Sequence, residues 1–173
     1  MAVSRTRKML LIGIVAAVVC AVLLTWLLLQ ESRDEESLIH LNENLSAAGA
    51  QFAQTEQELI ASFGEGEYVE GFGGHLRTYE ANGIRIGFSG DQDNDLYGLV
   101  SSIAFWDPAY AVYSINIGDD RMAAIDTLLS QGYKHVTEGM YRNGEYIISL
   151  SGADTVELIQ IWFDDKDLRD RQY

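Results

Sequence analysis

Residues 79–90 read YEANGIRIGFSG, and residues 141–152 read YRNGEYIISLSG. In each stretch a tyrosine leads into an Asn-Gly turn, an alternating apolar run and a Ser-Gly stop, so Tyr79 answers to Tyr141 and Gly90 to Gly152 at one constant offset. Asn and Gly tolerate the positive φ of tight turns, and apolar residues at every second position line one face of a strand. Each stretch is therefore expected to form an antiparallel hairpin. Tyr79, Ile84, Ile86 and Phe88 should face the core in the first copy, and Tyr141, Tyr146, Ile148 and Leu150 in the second. Arg85, Gly87 and Ser89 should then face away. The pairs Asn82-Gly83 and Asn143-Gly144 fall one position out of step with the repeat, so the two turns should differ in type.

Outward from the hairpins, a further strand closes each copy, Val100 to Trp106 in one and Leu158 to Phe163 in the other. Each copy is also expected to open with a helix. In the second, Ile117-Gly118-Asp119 runs into DRMAAIDTLLSQG, with Asp119 placed to cap and Gly132 to stop. Met122, Ile125, Leu128 and Leu129 should line its apolar face. Ahead of the first copy, Leu38, Leu41, Leu45, Ala48, Phe52, Thr55 and Leu59 recur at steps of three and four, the spacing of an amphipathic helix that Gly49 could divide. That helix should end by Gly64, and GEGEYVEGFGGH, residues 64–75, reads as a glycine-rich connector. A linker, Asp107 to Ser114, holds the only proline, Pro108.

Helix, strands, linker, then helix and strands again resembles the tandem modules of the β-lactamase inhibitor proteins over about residues 50–165. The resemblance rests on element order and on the I-x-I-G-D entry to a helix, Ile115 to Asp119. It implies an α+β fold and, since such modules bind other proteins, a binding role. No catalytic or binding motif is shared, and the inhibitors' disulfides are missing.

Residues 9–29, MLLIGIVAAVVCAVLLTWLLL, carry no charge and no proline. Their length matches the ~30 Å hydrocarbon core of a bilayer. Arg5, Arg7 and Lys8 precede them while Glu31, Asp34, Glu35 and Glu36 follow, so the positive-inside rule places the N-terminus in the cytoplasm and the remainder outside. A cleaved signal peptide would have a shorter apolar run and small residues at its end, where Leu27, Leu28 and Leu29 stand. Cys20, the only cysteine, lies within the run and not at a lipobox. The expected protein is thus single-pass in the cytoplasmic membrane, the lipid bilayer being a partner through the anchor.

Acidity narrows the choice of partner. All 26 acidic residues but only 9 of the 12 basic ones follow residue 30, a balance of −17 beyond the anchor. Nucleic acid is excluded as a partner, since phosphate binding needs a basic face.

Few residues invite chemistry. Asp91, Asp93 and Asp95 alternate as in the start of a calcium loop and are the candidate metal ligands, although Leu96 stands where such a loop needs glycine and Ser102 where it needs glutamate. Gly71, Gly73 and Gly74 lack the following helix and the lysine of a phosphate cradle. His40, His75 and His135 have no metal-ligand spacing, and no G-x-S-x-G elbow is present. Asn44-Leu45-Ser46 is a formal glycosylation acceptor. No catalytic residue and no cofactor follow from the sequence. Arg85 on the outer face, with Trp106 and Tyr110 beside the linker, is the candidate partner-binding set.

The chain divides into a cytoplasmic tail (1–8), a transmembrane helix (9–29), a spacer with amphipathic helix (30–63), a first sheet module (64–107) and a second helix-plus-sheet module (108–173). The expected function is that of a non-enzymatic interaction module binding an envelope protein or a cell-wall component. The alternative is a small enzyme or a ligand or calcium sensor using the acidic loops.

Overall fold

Alternation decides most of the architecture. In Ile84–Ser89 the odd-numbered residues face one way and Ile84, Ile86 and Phe88 the other, where all three are buried. The computed structural model describes residues 19–22, 25, 35–71, 73–166 and 168–169. Eight strands form one antiparallel sheet: β2 (Glu67–Gly71), β3 (Gly74–Tyr79), β4 (Ile84–Ser89), β5 (Val100–Phe105), β8 (Lys134–Thr137), β9 (Met140–Asn143), β10 (Tyr146–Ser151) and β11 (Leu158–Phe163). Their spatial order is β2-β3-β4-β5-β11-β10-β9-β8. Two meanders thus meet at the middle of the sheet, where Phe105 pairs with Ile159 and Ile103 with Ile161.

The helices and the small sheet from Ser37 onward pack on one face. Residues 37–43 are helical, and β1 (Leu45–Ser46), β6 (Ala111–Val112) and β7 (Ile115–Asn116) make a small second sheet. Helices α1 (Glu56–Phe63) and α2 (Arg121–Ser130) complete this layer. Leu41, Phe52, Leu59, Val112, Ala124 and Leu128 join the inward rows of the large sheet in one core. All eight residues expected to face the core are buried, from Tyr79 to Phe88 and from Tyr141 to Leu150.

Caps set the helix ends. Thr55 and Glu58 form a capping box at the start of α1, and Gly64 ends it with its N–H on the Ile60 carbonyl. At α2 the cap is Asp120, whose carboxylate accepts the Ala123 N–H at 2.8 Å. Asp119, the residue expected there, instead accepts the Asn116 N–H. Met122 and Leu129 of α2 are exposed, and its buried residues are Ala124 and Leu128.

Three expectations are corrected. The fold is a mostly antiparallel sheet with few helices, not an N-terminal transmembrane helix followed by two helix-plus-sheet modules. The strands that were to close separate modules, β5 and β11, bond to each other and fuse the hairpins into one sheet. The long amphipathic helix before Gly64 is also interrupted. Residues 44–54 leave helical geometry, with Ala48, Gly49 and Ala53 at φ of 52°, 93° and 62°. Finally, a spanning helix needs about 20 consecutive apolar residues, and among the described residues no helix is long and apolar enough to cross a membrane. Apart from 19–22 and 25, the anchor expected over 9–29 lies outside the described residues. The single-pass topology and the membrane localisation drawn from it are not supported.

Candidate functional site

With helices and small sheet on one side, the other face of the large sheet bears no helix among the described residues. Strand register defines its rows, in which Thr78, Ile147 and Ser149 are buried. Leu76, Gly87, Ser102, Trp162, Ile147 and Arg142 form one row across the six central strands, and Thr78, Arg85, Ala104, Gln160, Ser149 and Met140 form the next. Neither row contains a carboxylate, in a chain with 26 acidic residues and a net charge of −14. Acids crowd the loops, the edge strand β2 and the helices, where water solvates them.

Two shallow grooves lie on this surface. One, about 290 Å³, is lined by Glu80, Arg85, Ala104, Trp106, Leu158 and Gln160. Arg85 and Gln160 are exposed, whereas Trp106 is half-buried and fixed by its backbone N–H to the Gly83 carbonyl. The other, about 430 Å³, borders the Gly71–Gly74 hairpin end and is lined by Leu76, Gly87, Ser89, Asn94, Ser101 and Ser102 among others. Gly87 creates part of that space: a Cβ there would lie 2.2 Å from the Ser102 Oγ and 2.9 Å from a Leu76 methyl. The grooves occupy adjacent rows of the β4–β5 pair, Gly87–Ser102 beside Arg85–Ala104.

The structure therefore brings Arg85 and Trp106 together. Tyr110 is not with them: it is buried against the edge of Phe105 on the opposite face, ring centroids 6.0 Å apart. Burial raises its hydroxyl's pKa, with Asp107 adding to the rise and a hydrogen bond with Asn82 opposing it. Gln160, Leu158 and Glu80 carried no motif in the sequence; the offset between the closing strands would have placed Gln160 beside Ala104 only once β5 and β11 were known to pair.

Asp91, Asp93 and Asp95 form a loop shaped by side chain-to-backbone bonds. The Asp91 carboxylate accepts the Asp93 N–H and Asn94 accepts the Leu96 N–H. The Asp95 N–H donates to Asp165, which ties the loop to the segment after β11. Among the described residues no group of three or more His, Cys, Asp or Glu side chains is placed to hold a metal ion.

A further cluster sits on the inner face. The Glu56 carboxylate accepts Arg77 Nε at 2.7 Å and lies 3.0 Å from His75 Nε2. The imidazole stacks between Tyr68 and Phe88, and the Arg77 guanidinium lies over the Tyr68 ring at 5.1 Å. Burial works to raise the Glu56 pKa, but hydrogen bonds and charges from Arg77 and His75 prevail and hold it below the ordinary glutamate range. This arrangement clamps the β2–β3 hairpin onto the start of α1.

No protein family matches the chain, and no curated protein does. Two solved structures are similar to it. An extracellular protein containing an SCP domain from Bacillus anthracis aligns with a TM-score of 0.43 at 13% identity, over 69% of this chain and 46% of that one. A DUF4309 family protein from Bacillus subtilis aligns with a TM-score of 0.32 at 19% identity, over 63% of this chain and 78% of that one. The chain thus spans about half the length of the first. The similarity is a weak one between mostly-sheet folds and places the chain in no family. Neither neighbour is a β-lactamase inhibitor protein, so the resemblance read from element order is replaced by this coarser one.

Proposed function

We propose that this chain is a non-enzymatic binding module that engages another protein through the helix-free face of its large sheet. The observation that carries the reading is the absence of carboxylates from the two central rows of that face in so acidic a chain. Interface cores are depleted of charge and enriched in aromatic residues and arginine. Here Trp106, Trp162 and Arg85 stand among small and hydroxyl-bearing residues. Elsewhere the acidic surface opposes non-specific association.

A photo-crosslinking amino acid at Gln160, compared with one at Met122 on the exposed side of α2, tests this in the producing cell. The expected result is a discrete protein adduct from Gln160 and none from Met122. No adduct at Gln160, or the same adducts from both positions, would remove the outer face as the binding surface.

A further inference from the structure

Resting on the reading above, we infer that the outer face takes an extended polypeptide segment that presents a carboxylate to Arg85. Of the described arginines, Arg85 and Arg121 form no ion pair; the Arg121 Nε is buried, whereas Arg85 is exposed. Arg77 is bonded to Glu56, and Arg142 and Arg169 are both bonded to Asp164. Arg85 has no ion-pair partner among the described residues and is exposed in a groove whose one acidic lining residue is Glu80. With acids outnumbering bases by 26 to 12, a carboxylate close by in the fold would be the ordinary outcome. Glu80 lines the same groove without pairing with Arg85, so the guanidinium's fork is available, and that fork fits a carboxylate through two parallel N–H···O bonds.

The surroundings specify more of the ligand. Trp106 lies in the same groove and offers an apolar surface beside the cation, while Gln160 supplies a neutral donor and acceptor for a peptide amide. Glu80 also lines the groove and disfavours a second carboxylate beside it. Enclosure for a small metabolite is lacking, because the groove is shallow and open, with the second groove on the next row at Gly87 and Ser102. Together the two follow the length of β4, six residues at ~3.3 Å each, which matches about five residues of extended chain. The adjoining groove exposes hydroxyls, an amide and glycine backbone, with no lysine, arginine or carboxylate in its lining. A segment with one acidic residue near an apolar one, followed by uncharged residues, complements the whole track.

The test is a selection of acetylated, C-terminally amidated pentapeptides, randomised at every position, on the full chain and on its Arg85→Gln variant. Enriched peptides should share Asp or Glu at one position. Replacing that residue by Asn or Gln should weaken binding to the wild type by about tenfold or more, the scale of a charge-assisted bond, and leave binding to Arg85→Gln unchanged. An unaltered melting temperature of Arg85→Gln shows that the fold is retained. Arg85→Lys, which keeps the charge without the fork, should recover only part of the discrimination. Enriched peptides without an acid, or discrimination that survives Arg85→Gln, would overturn the inference. So would the enrichment of no peptide, or retention of the chain on polysaccharide in its place. The Gln160 adduct is a separate readout: where it persists, the outer face still binds a protein and only the acidic segment is wrong.

Discussion

At Phe88 and Leu150 the inward rows of β4 and β10 reach the core, while Arg85 points to solvent from the same strand as Phe88. Truncating either apolar residue leaves a cavity among close-packed neighbours. Phe88→Ala and Leu150→Ala should each cost roughly 2–5 kcal/mol of unfolding free energy by denaturant titration, whereas Arg85→Ala should cost less than about 0.5. The tip of the β6–β7 hairpin shows a different kind of residue effect. Tyr113 and Ser114 both adopt left-handed backbone, at φ of 51° and 62°, a conformation that costs a residue with a Cβ roughly 1 kcal/mol. Tyr113 is retained there by its buried ring, whose hydroxyl reaches Tyr133 and His40 at 3.3 Å each. Ser114 is exposed and has no such compensation from burial. Ser114→Gly should therefore raise the melting temperature slightly, and Tyr113→Gly should lower it sharply.

Among the elements, the hairpins of β4 and β10 were legible because a period of two is hard to imitate. The constant offset between the two copies also placed the core-facing side chains in advance. β2 was not legible: all five residues of Glu67–Gly71 are exposed, so an edge strand with neither face buried wrote no alternation into the glycine-rich stretch. The helix expected across residues 38–59, which Gly49 could divide, is broken over residues 44–54. Leu41, Phe52 and Leu59 are buried as the spacing required, but three separate segments bring them there. One carboxamide helps to hold that break, since Asn42 accepts the Phe52 N–H and donates to the Phe52 carbonyl. Of the site, Arg85 was legible from strand parity and Trp106 was singled out only by its place beside the linker; Gln160 depended on a pairing between β5 and β11, which the whole second helix and hairpin separate along the chain. The clamp between α1 and β3 carries a pH prediction. A carboxyl whose pKa is lowered on folding adds stability above its unfolded value, near 4.5 for glutamate, and that stability is lost as pH falls through the lowered folded value. Wild-type melting temperature should thus fall more steeply below pH 4.5 than that of Glu56→Gln, the two curves converging at the acid end. Parallel curves would show that Glu56 gains nothing from Arg77 and His75.

For the whole molecule, the decisive contact is the β5–β11 seam. The described residues from Ser37 onward form one compact unit, and the core runs from Phe88 on one side of the seam to Leu150 on the other without a break. Ile103 and Phe105 face Ile161 and Ile159 across it, all four fully buried. Neither half can cover these side chains alone, and each half alone would expose a long apolar strand edge of the kind that aggregates. Independent modules would unfold in two transitions, and a substitution in one would leave the other's midpoint unmoved. A fused sheet must unfold as one cooperative unit. Phe88→Ala and Leu150→Ala, on opposite sides of the seam, should therefore move the same single calorimetric transition, with equal calorimetric and van't Hoff enthalpies. A fragment comprising residues 108–173 should lack the near-ultraviolet dichroism of packed Trp162 and Tyr146. Two resolved transitions, each shifted by only one of the substitutions, would mean that the seam joins two units that fold separately.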